Sequence, residues 1–149
     1  MVFSREASPL KLTVEECRSA FASARVARLA TVDAAGVPHL VPFTFVVDGA
    51  CVYFAVDGKP KRSTNLRRLR NIEQNPHVSV LVDEYDEDWS RLWWARVDGL
   101  ARELTGEADA DRVRDLLRAR YPQYAEVALE GPVVQIQIEQ WTGWRYADR

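Results

Sequence analysis

The chain has 149 residues, 47% of them apolar and 28% charged, with a formal net charge of −2. That length suits one domain around a single core, and that balance excludes a disordered chain. A slightly acidic total argues against nucleic acid as the partner, because binding a phosphate backbone wants a broadly basic face. No apolar run is long enough for a transmembrane helix. The start, MVFSREASPLKLTVEE, lacks the basic-then-apolar order of a secretory signal, so no membrane partner and a cytoplasmic location are expected. Cys17 and Cys51 stand alone without metal-ligand spacing and read as free, buried thiols in a reducing compartment.

In chain order, residues 1–11 read as a loose lead-in. LTVEECRSAFASA starts a helix that Thr13 caps, with Glu16 completing a capping box and Leu12 and Cys17 forming a hydrophobic staple across it. Three strands follow. The first is Val26–Val32, the DAAG turn comes next, and the second is His39–Val47. Asp48-Gly49 marks a hairpin, and Ala50–Val56 is the third strand. Pro38 and Pro42 cannot donate ladder bonds, so they place the second strand at an edge or a bulge. In the next segment Leu66, Leu69 and Ile72 recur at helical spacing toward the core, while Arg67, Arg68 and Arg70 fall off that face. The helix stops near Asn75-Pro76. HVSVLVDEY is a fourth strand, DEDWS an acidic loop, and RLWWARVDGLAREL a fifth strand bent at Gly99. A helix follows with Val113, Leu116, Leu117 and Tyr121 on one stripe. PVVQIQIEQWTGWRY alternates as a sixth strand, with Val134, Ile136 and Ile138 inward. One α+β domain over residues 1–149 is expected, its six-stranded antiparallel sheet curling into a barrel to hide its edges.

The stretch GKPKRSTNLRRLRNIEQNP carries six basic residues, Lys59, Lys61, Arg62, Arg67, Arg68 and Arg70, before any acid. A solvated helix face is one reading. The other is an anion site at a helix start. There unpaired backbone N–H groups and the helix dipole favour negative charge, with Ser63 and Thr64 adding hydroxyl donors. Six cations gathered without acids in a net-acidic chain favour the second reading, for one small polyanion.

His39 and His77 are the only histidines, so no histidine pair suggests a metal site, and no catalytic residue declares itself. His39, between apolar neighbours on a strand, reads as structural, or as a polar contact to a bound ring. Five tryptophans are present. Trp93 and Trp94 are adjacent on a strand and must face opposite ways, so one joins the core and the other meets solvent, a partner or a ligand.

The stretches RVARLATVDAAGVPHLVPFTFVVDGACVYFAVD, KPKRSTNLRRLRNIEQNPHVSVLVD and WSRLWWARVDGLARE resemble the pyridoxamine-phosphate-oxidase-like split β-barrel flavoproteins over residues 13 to 146. The DEDWSRLWWARVDG stretch resembles more narrowly the actinobacterial branch that uses the deazaflavin coenzyme F420. The resemblance implies a homodimer with each cofactor in a groove between two barrels. It implies that Lys59, Lys61 and Arg62 hold the cofactor phosphate, with Thr64 and Asn65 close by. Ala30, Thr31, Val32, Pro42 and Phe43 would flank the ring. The function it implies is an F420H2-dependent reductase acting on a small electron-poor acceptor. Alternatives are an FMN-dependent oxidoreductase and a non-catalytic flavin- or haem-binding protein. The C-terminal IEQWTGWRYADR departs from true pyridoxamine-phosphate oxidases, keeping only Arg145 of their substrate-phosphate motif, and this puts the vitamin substrate in doubt.

Overall fold

The computed structural model describes residues 10–56 and 62–146, with side chains for 10–56 and 67–146. Strand β1 is Leu10–Lys11 and helix α1 is Val14–Ser23. The expected capping box forms. The Glu16 N–H donates to Thr13 Oγ1 at 3.1 Å, and the Thr13 N–H donates to Glu16 Oε1 at 3.0 Å. The Thr13 backbone bond is the main force holding the Glu16 carboxyl below its usual range. Cys17 and Phe21, four residues apart on one face, are fully buried.

Strands β2 (Ala27–Val32) and β3 (Pro38–Phe43) form a hairpin. In its turn Asp33 Oδ1 accepts from the N–H groups of Ala35 and Val37, and Gly36 takes a φ of +83°. The single strand expected over 39–47 divides here into β3 and β4 (Val46–Asp48), which pair with β2 and with β5 (Cys51–Ala55) respectively. Its hinge is Thr44-Phe45. The Phe45 backbone finds no ladder partner and bonds instead to one phenol, its N–H donating to Tyr121 Oη and its carbonyl accepting from that hydroxyl. The following hairpin slips one residue from the expected turn. Asp48 pairs with Cys51, so the loop is Gly49-Ala50, with Gly49 at φ +58° as the first residue of a type II′ turn requires.

Helix α2 is Arg62–Gln74, strand β6 is His77–Glu84, and a short 3-10 turn covers Trp89–Arg91. Strand β7 is Trp93–Glu103, helix α3 is Glu107–Arg120, and strand β8 is Val133–Arg145. The eight strands of the described residues form one antiparallel sheet in the order β3-β2-β6-β7-β8-β5-β4, with β1 added on β8. Division of the second strand and the addition of β1 account for eight strands where six were expected. β3 lies at one end of this order, where Pro38 and Pro42 cost no interior ladder bond. β3 and β4, the two ends, are joined through Thr44-Phe45, so the sheet curls as a split barrel.

The bend expected at Gly99 is a β-bulge. Asp98 pairs with Gln140 and Gly99 with Ile138, which leaves Glu139 as the extra residue on β8. Inside the curl, Leu29, Phe45, Phe54, Val80, Val97 and Ile136 form the main core with Phe21 of α1. A second cluster lies under α3, where Val113, Leu117 and Tyr121 pack on Tyr53 and Val133. Ala110 rather than Leu116 completes the buried stripe of α3. Arg120 locks α3 to α1, its Nη2 donating to the carbonyls of Phe21, Ala22 and Ala24 at the end of α1 while its guanidinium lies 4.6 Å from the Phe45 ring centroid. The thiols of Cys17 and Cys51 are free, Cys17 buried and Cys51 half-buried. Among the described residues no helix is long and apolar enough to cross a membrane.

Candidate functional site

The basic segment forms α2, whose first turn holds no acid. Arg62, Thr64 and Asn65 fall in the first turn of its backbone. Lys59 and Lys61 lie outside the described residues. The apolar face packs as the spacing requires: Ile72 is buried and Leu69 leans on the core. Arg67 and Arg70 face solvent. Arg68 turns inward, with its guanidinium 5.7 Å from the Phe54 ring centroid.

Below this helix is a small polar layer in an otherwise apolar interior. Asn71 Nδ2 donates to Thr31 Oγ1 at 3.1 Å, and these two are the buried polar side chains among the described residues. Sequence reasoning missed Asn71. Its signal is a polar side chain beside Ile72, on the arc of the helix that meets the sheet. His39 stands opposite Thr31 across the β2–β3 ladder. Its Nδ1 is enclosed and has no hydrogen-bond partner among the described residues. Burial first, then the charges of Arg67 and Arg68, lower its pKa below the ordinary histidine value. His39 is therefore held as a neutral imidazole near the charges of Arg67 and Arg68, its Nδ1 without a partner among the described residues.

The five residues expected to flank a ring do not present one side-chain patch. Strand alternation sends Thr31 and Phe43 inward, to Asn71 and to the Phe54 ring, 5.2 Å between centroids. Ala30, Val32 and Pro42 face outward. Ala30 and Val32 line a depression of about 240 Å³ with Ser79, Asp98, Gly99 and Glu139. Its wall is ordered by Ser79 Oγ, which donates to Asp98 Oδ1 at 2.6 Å, while Arg96 Nε donates to Asp98 Oδ2 at 3.0 Å. The same outward face exposes Leu40 at 67% on β3 and Leu81 at 36% on β6, on either side of β2.

The tryptophan pair divides as alternation demands. Trp93 packs against the core and its Nε1 donates to Glu84 Oε2 at 2.8 Å. Trp94 takes the other face, with the Arg96 guanidinium 5.6 Å from its ring centroid.

A curled antiparallel sheet with its ends joined through one hinge and crossed by a basic helix defines a split-barrel protein. Its family follows from the sequence: residues 13–145 match the family described as pyridoxamine 5'-phosphate oxidase, and the chain belongs to that family. Solved structures share the fold. A FAD-binding protein from Mesorhizobium loti is 24% identical with a TM-score of 0.72, covering 92% of this chain and 97% of its own. The FAD-binding protein of Mycobacterium smegmatis is 26% identical with a TM-score of 0.64, covering 93% of this chain and 98% of its own. A haem storage protein from Vibrio cholerae is 20% identical with a TM-score of 0.71, covering 90% of this chain and 96% of its own. No curated protein matches the chain.

Proposed function

We propose that this protein binds a flavin-type cofactor and uses it as an oxidoreductase, with the deazaflavin F420 as the cofactor and a small electron-poor organic molecule as hydride acceptor. One observation carries the reading. Arg67 and Arg68, which follow the acid-free first turn of α2, act on a neutral His39 whose Nδ1 has no partner among the described residues. That arrangement fits a phosphate-bearing ligand, because an anion there satisfies helix N–H groups and relieves the repulsion among the cations. Lys59, Lys61 and Arg62 would hold the phosphate, with Thr64 and Asn65 beside them, and the surplus of positive charge would take an acidic tail. When bound, such a cofactor supplies the hydride chemistry. The chain supplies placement, shielding from water and charge.

FMN or FAD chemistry on the same fold is the second reading, favoured by the FAD-binding proteins among the structural neighbours. Fluorescence titration with F420, FMN, FAD and haem separates the readings. F420 is expected to bind most tightly and to weaken as salt rises, since partly exposed charge pairs are screened. Equal or tighter binding of FMN or FAD would overturn the choice of F420, and haem alone would overturn the redox reading.

The groove is expected to be completed by a second copy of the chain. The exposed Leu40 and Leu81 on the outer face support that pairing, because a monomer would leave them wet. Sedimentation at micromolar concentration should give a dimer; a stable monomer would contradict it.

A further inference from the structure

A second cleft, of about 660 Å³, opens between α1 and the neighbouring ends of β6, β7 and β8. It shares no residue with the proposed cofactor site. One wall is the α1 face carrying Glu15, Glu16 and Ser19 below Leu12; the other is Glu84, Trp93 and Arg145. The walls are fixed before any ligand arrives. Glu84 accepts the indole N–H of Trp93 at 2.8 Å, and Arg145 Nη1 donates to Glu16 Oε2 at 2.5 Å, with Glu16 itself tied into the α1 cap.

Among the described residues the lining of the cleft carries more carboxylates than cations: Glu15, Glu16 and Glu84 against Arg145, which pairs with Glu16, while the indole N–H on Glu84 is neutral. An indole and aliphatic carbons beside surplus carboxylates select one ligand chemistry: an apolar or aromatic body carrying a cationic head. Anions are repelled by the same charges, and the basic pole of the molecule lies on α2.

We propose that this cleft is a second small-molecule site, for an organic ammonium ion, with Trp93 contacting the apolar body and Glu84 and Glu15 receiving the charge. The inference does not depend on which cofactor α2 holds. The probes are 2-phenylethylammonium and 3-phenylpropionate, of similar apolar body and opposite charge, titrated into the full chain by calorimetry. The ammonium ion should saturate one site with a dissociation constant of roughly millimolar or below, weakening with salt, and the carboxylate should give no saturable heat. Glu84→Gln keeps an acceptor for the indole and should weaken the ammonium ion about three- to tenfold. Glu15→Gln, on an exposed α1 position, should weaken it by a smaller factor, and Ser19→Leu should narrow the cleft and weaken it without altering charge. Equal binding of both probes, binding of neither, or unchanged affinity in both glutamine variants would overturn the proposal.

Discussion

Replacing Lys61 with alanine is expected to weaken cofactor binding by roughly tenfold to a hundredfold and to leave the fold intact. A hydrogen bond from a charged donor to phosphate is worth about 1.5–3 kcal/mol, and every 1.4 kcal/mol is about tenfold in affinity. The melting temperature of the cofactor-free chain should barely move, because a surface lysine contributes little to folding. A slight rise is consistent with less repulsion among Lys59, Lys61 and Arg62. Charge alone does not rank these three. The family resemblance selects Lys61, and Lys59→Ala and Arg62→Ala are the controls. If all three variants bind like the parent, the cluster is a solvated helix face and the proposed site is wrong.

The second large effect is on stability. A Cβ built on Gly99 would sit 2.3 Å from the Gln137 carbonyl oxygen and 3.0 Å from Ile136 Cγ2. The first of these belongs to the backbone of β8 and cannot rotate away. Gly99→Val therefore forces β7 and β8 apart at the bulge, at a cost of about 1–3 kcal/mol or more. For a domain of this size that lowers the melting temperature by about 3–5 °C per kcal/mol. The same displacement widens the outward depression beside Ala30 and Val32, so any ligand there should be lost with it. A melting temperature within 1 °C of the parent, a bound taken as roughly the reach of a neutral surface change, would show that the two strands are not in contact there.

Local chemistry made much of this fold legible. Thr13 and Glu16 spell a capping box within four residues, and the box forms. Val113, Leu117 and Tyr121 fall on one helical stripe, and that stripe packs. Glycine was the right residue for the bend in β7, although the extra residue proved to be Glu139 on the opposite strand. The break between β3 and β4 was not legible. It depends on the Tyr121 hydroxyl, 76 residues away, replacing the ladder at Phe45. Asn71 was missed for the same reason, since its partner Thr31 lies 40 residues distant. The division of Ala30, Thr31 and Val32 between two faces was legible, because strand side chains alternate whatever the fold. A list of consecutive ring-flanking residues must therefore mix side-chain with backbone neighbours. The basic start of α2 was read from charge alone, and its meaning rests on what it holds.

His39 tests that meaning most directly. Its lowered pKa means that the neutral form is favoured on folding. This contribution to stability is present above the unfolded value, about pH 6.5, and is lost as pH falls through the folded value. Burial is the larger cause of that lowering, and an anion bound near Arg67 and Arg68 offsets the remaining part that their charges supply. Binding should therefore raise the His39 pKa, and affinity for the anion should rise as pH falls over that window. With two histidines in the chain, the imidazole resonances can be followed through a pH titration with and without F420. The account predicts a free-protein pKa for His39 below the ordinary value, moving upward when F420 saturates the protein. His39 resonances and pKa unchanged at saturating F420 would place the cofactor phosphate away from α2 and contradict the account.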